Sequence, residues 1–206
     1  MLSRAYLDAL RANDAGGAYR VATRALEEGM SVAALYQGVV TPAMHDLGRL
    51  WEKGAITVAD EHLATALTHR VLAALRSQAL REEAFESRPG RPQAMLAAVE
   101  EEQHALGLRM AADLFEDAGY QTIYLGADVP SEALMQAIEV LSPDLLALSA
   151  TMPELGPRLE EVVARVRSEH PRLSLLVGGQ ATTSRQVREV EPVNDLELLG
   201  ERVRLR

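Results

Sequence analysis

The chain has 206 residues and no cysteine, so disulfides, thiolate metal sites, iron–sulfur clusters and thiol catalysis are excluded. Any transition-metal chemistry must lean on its five histidines: His45, His62, His69, His104 and His170. His104 stands out by its neighbours, with Glu102 two residues before it and Gly107 three residues after. In an extended loop, residues two apart point the same way. A carboxylate there can fix one imidazole nitrogen and leave the other to a metal. Gly107 removes a side chain where a flat, bulky group would approach the start of a helix. Taken singly, Trp51 reads as a core tryptophan, and Glu61 as a first-turn carboxylate suited to the helix dipole.

These residues need elements to position them. Residues 1–85 read as helix. Ser3 is expected to cap a first helix to Arg11, Asp14 a second to Gly29, and Ser31 a third. Pro42 then starts a fresh helical segment that reaches Trp51 and stops near Gly54. Thr57 with Asp60 resembles a capping box for a long fourth helix. In it Leu63, Leu67, Val71 and Leu75, with Leu72, form a buried face. Short connections favour a four-helix bundle. Residues 86–92, ESRPGRP, read as a linker. From 93 to 206 the pattern changes. Short apolar runs at 94–99, 122–126, 144–150 and 173–179 are each followed by a helical segment, at 105–118, 131–141, 154–169 and 182–190. That alternation predicts an α/β domain with a parallel, flavodoxin-like (Rossmann-like) sheet covered on both faces. The tail holds either a fifth strand or a short strand and a final helix.

Such a sheet binds ligands beyond the carboxyl ends of its strands, where the strand order reverses, here between the first and third strands. The loop after the first strand carries Glu102, His104 and Gly107. Ser149 and Thr151 follow the third, and Gly178 and Gly179 follow the fourth. No Gly-x-Gly-x-x-Gly is present, which disfavours a dinucleotide. The formal net charge of −9 argues against nucleic-acid binding by electrostatics. No signal peptide is evident and no run reaches the ~18–20 apolar residues of a membrane span. The expectation is a cytoplasmic protein with no membrane partner.

The full pattern is Glu102-x-His104-x-x-Gly107, 41 residues, Ser149-x-Thr151, 26 residues, Gly178-Gly179. It resembles the cobalamin-binding signature Asp-x-His-x-x-Gly, Ser-x-Leu or Ser-x-Thr, Gly-Gly. The resemblance covers most of residues 93–190. It implies that His104 is the lower axial ligand of cobalt, replacing the cofactor's own dimethylbenzimidazole, and that Glu102 orients it. It also implies that Ser149 and Thr151 sit beside the buried base and that Gly178 and Gly179 leave room for the nucleotide tail. Glu102 departs from the commoner aspartate, keeping the charge and lengthening the reach.

Upstream, Trp51, nine residues, then Glu61-His62 resembles the light-sensing CarH/LitR regulators, as does the wider stretch 47–65. The resemblance implies a helical cap over the upper face, with Trp51 over the corrin and Glu61 and His62 at the adenosyl group. Adenosylcobalamin is the favoured cofactor, with methylcobalamin or hydroxocobalamin as alternatives. The implied function is a non-enzymatic light sensor acting on transcription through self-association or a separate regulator protein. The rival is a corrinoid carrier for methyl transfer between methyltransferases. Two departures stand out. Nothing resembles the family's MerR-type DNA-binding domain, so the expectation is a stand-alone sensor or a fragment without direct nucleic-acid binding. Many members also place a histidine directly after the tryptophan to capture cobalt after illumination; here that residue is Glu52, a poorer partner for cobalt(III).

Overall fold

The computed structural model describes residues 1–79, 90–182, 190 and 192–204. The chain separates into two compact units, Met1–Ser87 and Arg88–Arg206. The expected linker 86–92 lies outside the described residues up to 89, and so does most of the helix expected at 182–190.

The first unit contains α1 (Leu2–Arg11), α2 (Ala15–Glu27), α3 (Val32–Leu35), α4 (Thr41–Glu52) and α5 (Val58–Ala79). A π-helical turn, Tyr36–Val40, joins α3 to α4 into one continuous rod, so the described residues of this unit form four helical rods. Pro42 explains the turn. It lacks an N–H, and its ring would collide with the carbonyl four residues back in a regular helix. The wider turn, in which the Thr41 N–H donates to the Tyr36 carbonyl five residues back, relieves that collision. Pro42 therefore continues the third helix rather than starting a separate one.

Local capping governs the other starts. Asp14 accepts from the Gly17 N–H at 2.7 Å, and Ser31 accepts from the Ala34 N–H at 3.1 Å. Thr57 and Asp60 form the reciprocal box: the Thr57 N–H donates to Asp60 at 2.8 Å and the Asp60 N–H to the Thr57 hydroxyl at 3.2 Å. Ser3 does not cap α1. The helix already begins at Leu2, which leaves Ser3 inside the first turn.

α1 packs on α2, α4 and α5. The buried residues of α1 are Tyr6, Leu7 and Leu10, and those of α2 are the small Ala18, Ala22 and Ala25, which allow helices to approach closely. On α5 the buried stripe is Ala64, Leu67, Thr68, Val71, Leu72 and Leu75. Leu63 does not belong to it and is 44% exposed. One residue is about 100° of helix rotation, so Leu63 falls beside the stripe, on a face with Ala59, Ala66 and Ala73, which are also exposed.

The second unit is a four-stranded parallel sheet in the order β2-β1-β3-β4. Its strands are β1 (Gln93–Val99), β2 (Gln121–Val129), β3 (Leu145–Ser149) and β4 (Ser174–Gly178). Helices α6 (Leu106–Asp117), α7 (Ser131–Leu141) and α8 (Gly156–Glu169) make the crossovers. The central strands are buried on both faces: Ala94–Val99 without interruption in β1, and all of β3. This is the flavodoxin-like order expected, with the reversal between β1 and β3. β2 runs three residues past its expected end at 126. Its pairing with β1 slips between Leu96 and Ala97 and again between Ala97 and Val99, and Gly126 sits at φ +85° in the slipped stretch. The tail resolves to a single bridge from Pro192 to Val177, followed by a final helix, α9 (Leu196–Arg204), packed on α6. Among the described residues no helix is long and apolar enough to cross a membrane.

Candidate functional site

At the reversal point the chain after β1 folds into a tight loop around a buried carboxylate. Glu102 is fully buried. One of its oxygens accepts from the His104 N–H at 2.7 Å and contacts the His104 ring Nδ1, also at 2.7 Å. The other accepts from the N–H groups of Thr151 and Met152, at 2.6 and 3.0 Å, at the end of β3. Burial by itself pushes this carboxyl up. The hydrogen bonds from the His104 ring and from the backbone of His104, Met152 and Thr151 outweigh it and hold the group at about 2. An ionised carboxylate only accepts, so it fixes the proton on Nδ1 and leaves the lone pair on Nε2. The His104 side chain is 60% exposed, so the ring is braced from inside and reachable from outside.

Asp128, on the extended end of β2, shapes the loop. It accepts from the Glu101 N–H at 2.7 Å and from the Gln103 side-chain amide at 3.1 Å, while its own N–H donates to the Glu102 carbonyl at 2.9 Å. Glu101 and Asp128 both adopt positive φ, +70° and +52°. Aspartate tolerates this conformation better than most residues do. Beyond His104, a Cβ added at Gly107 would meet nothing within 4 Å, so open space flanks the start of α6.

Ser149 is buried and Thr151 half-buried at the end of β3. The Ala150 N–H donates to the Gly178 carbonyl, and the Ala181 N–H donates back to the Ala150 carbonyl, both at 3.1 Å. Gly178 and Gly179 therefore join the same cluster of strand ends. The chain's own backbone approaches both glycines closely. A Cβ at Gly178 would stand 2.8 Å from the Val193 carbonyl, and one at Gly179 would overlap the Ala150 carbonyl. Gly179 also sits at φ +97°. Close backbone approach accounts for both glycines.

The first unit carries the other group. Trp51, in the last turn of α4, is 48% exposed and so is not a core tryptophan. Glu61 and His62 lie in the first turn of α5. A Glu61 oxygen contacts the His62 Nδ1 at 2.7 Å, and its other oxygen accepts from the Thr65 hydroxyl at 2.7 Å. The Glu61 side chain is 25% exposed and that of His62 is 74% exposed.

Five residues enter the two clusters that were not singled out by spacing: Glu101, Gln103, Asp128, Met152 and Thr65. Thr65 could have been found four residues after Glu61 on one helix face. Met152 could not, because its link to Glu102 spans 50 residues.

Among the described residues no three histidines or carboxylates gather to hold a bare metal ion. One braced imidazole beside open space suits a metal that arrives with its equatorial ligands already supplied by a macrocycle, and it suits cobalamin in that way. Residues 92–201 match the B12 binding domain family, and residues 2–76 match a second family of the same description. The chain belongs to the B12-binding family. It is a cobalamin-binding protein. It is 34% identical over 154 residues to the HTH-type transcriptional repressor CarH of Myxococcus xanthus, covering 73% of this chain and 48% of that protein. The chain thus spans about half the length of that relative. It is 22% identical over 162 residues to a corrinoid protein of Desulfitobacterium hafniense, covering 78% of this chain and 74% of the relative. In fold it is similar to the monomethylamine corrinoid protein of Methanosarcina barkeri, with a TM-score of 0.76 at 17% identity, over 97% of this chain and 95% of the other.

Proposed function

We propose that this chain is a cobalamin-dependent light-sensor module that uses adenosylcobalamin and acts without catalysing a reaction. Bound adenosylcobalamin supplies a cobalt–carbon bond that visible light breaks. His104 offers Nε2 as the lower axial ligand, Glu102 holds the proton on Nδ1, and the open side of Gly107 admits the ring. Ser149, Thr151, Gly178 and Gly179 line the strand ends that receive the displaced base and its tail. Trp51 supplies a flat apolar cover on the upper side. Glu61 accepts from the ribose hydroxyls, and His62 pairs or stacks with the nucleoside. Loss of the nucleoside removes contacts made in one arrangement of the helical unit and not in another, which shifts the balance between them. The output passes through self-association or to a separate regulator protein.

The observation that carries this reading is the Glu61–His62 pair, held by Thr65 near the start of α5, with Trp51 exposed in the last turn of α4. A buried-core role would not leave these groups at the surface. Identity to CarH supports it. The test is the absorption spectrum of the adenosylcobalamin-loaded protein in the dark and after green light, with size-exclusion profiles of both samples. Dark and lit samples should differ in both. A corrinoid carrier for methyl transfer is the second reading, supported by the similarity to corrinoid proteins. It predicts equal affinity for methylcobalamin and adenosylcobalamin, unaffected by Glu61→Ala.

A further inference from the structure

Glu102 is longer than the aspartate of the usual signature, and both of its oxygens are in use. The oxygen that braces His104 would suffice to orient a ligand. The second oxygen reaches the other side of the reversal point and takes two consecutive main-chain N–H groups, those of Thr151 and Met152. A single buried carboxylate thus ties the histidine-bearing loop after β1 to the chain leaving β3. Met152 is the residue this second grip holds. It follows a fully buried strand, and at 36% exposure it is one of the few large apolar side chains left accessible in the second unit. A 3₁₀ turn, Pro153–Leu155, starts directly after it, and the Leu155 N–H donates to the Met152 carbonyl at 2.9 Å. Both peptide groups of Met152 are therefore fixed.

We propose that Glu102 is a two-sided positioning residue and that Met152 is a ligand-contact residue. One carboxylate oxygen sets the imidazole, and the other sets the Met152 backbone so that the thioether chain forms an apolar wall for the corrin beside His104. The inference deepens the cobalamin-site reading and is independent of light sensing. An unbranched, polarizable side chain suits packing against the irregular rim of a large ring. Glutamine cannot replace Glu102 in this role. Its amide presents one acceptor and one donor, whereas both sides of the carboxylate face N–H donors, so either orientation sets a donor against a donor.

The test uses the full chain and hydroxocobalamin in the dark. Met152→Ala should weaken binding about 5- to 30-fold, the range expected for one or two kcal/mol, and Met152→Leu should restore most of the affinity. The histidine-coordinated spectrum should survive in both, because His104 is untouched. In the ligand-free chain, amide exchange at Thr151 and Met152 should be slow in the wild type and clearly faster in Glu102→Gln, with β1 and β4 amides unchanged. Met152→Ala binding within twofold of wild type would overturn the contact role. Unchanged Thr151 and Met152 exchange in a folded Glu102→Gln variant would overturn the positioning role. Absence of hydroxocobalamin binding by the wild type would instead count against the site reading itself, while the exchange experiment would still decide whether Glu102 holds the β3 loop.

Discussion

Replacing Glu102 by alanine removes the acceptor of four contacts at once: the His104 N–H and ring, and the Thr151 and Met152 N–H groups. A buried donor left without a partner costs about 1–3 kcal/mol. Three backbone donors would give up to roughly 9 kcal/mol by that figure. The actual cost should be smaller, because the loop carrying His104 is partly exposed and water can enter the space vacated by the side chain. Two donors at the end of β3 are then the main loss, about 2–4 kcal/mol for the second unit. At roughly 4 °C per kcal/mol for a domain of this size, its thermal transition should fall by about 8–16 °C. The ring also loses the acceptor that selects its tautomer, which should weaken cobalamin binding by roughly 10- to 100-fold. Circular dichroism melting of the ligand-free chain and hydroxocobalamin titration read the two effects separately. A transition within 2 °C of wild type, with affinity within threefold, would refute the argument that this carboxylate holds both the strand end and the imidazole.

His104→Ala should weaken cobalamin binding more than Glu102→Ala does, and the histidine-coordinated, base-off spectrum should disappear; an unchanged spectrum at wild-type affinity would remove His104 from the cobalt. Glu61→Ala should erase a preference for adenosylcobalamin over methylcobalamin of about 1–3 kcal/mol, roughly 5- to 150-fold, because the acceptor proposed for the ribose is lost; titration with both forms measures it. In the ligand-free chain, Glu102 is depressed to about 2 from 4.5, so its stabilising contribution is fully present above about pH 4.5. It should be lost as pH falls from there through 2. Glu102→Ala should flatten that part of a stability-versus-pH curve.

How much of this was legible in the sequence depends on how local each cause is. Asp14, Ser31, Thr57 and Asp60 could be assigned because a cap needs only residues three apart. Ser3 failed because a helix can begin at the chain's second residue, where nothing in the pattern marks the start. Leu63 was grouped with the core because α5 carries apolar residues on more than one face, and a four-residue spacing cannot say which face the bundle takes. The parallel sheet was legible from the alternation of strands and helices, which by itself does not select a strand order. The extension of β2 was not, because it depends on a slipped register and on Asp128 at positive φ, each set by the partner loop. His104 and Glu102 are neighbours in sequence and could be paired on paper. The second grip of Glu102 joins residues 49 and 50 positions apart, and only the folded sheet brings them together. The two glycines also stand where the chain's own carbonyls approach closely, a packing reason that spacing alone does not disclose.

The chain uses the same device twice, a glutamate oxygen 2.7 Å from the Nδ1 of a following histidine, and the settings differ in a way that bears on function. At Glu102 the other carboxylate oxygen is committed to two main-chain N–H groups after β3, and the group is wholly buried. Moving it would unpair main-chain donors on two separate loops at once, so the imidazole it holds is built to stay. At Glu61 the remaining oxygen is met by the Thr65 hydroxyl one turn along the same helix, and both partners of the pair retain contact with solvent. A hydroxyl rotates and water can stand in for it, so releasing Glu61 costs little more than one neutral hydrogen bond, about 0.5–1.5 kcal/mol. A lower ligand must hold one geometry whatever happens above it. Groups that recognise a departing nucleoside must let go of it. Under the proposed function, the rigid pair is the one assigned to the lower ligand and the adjustable pair the one assigned to a departing nucleoside.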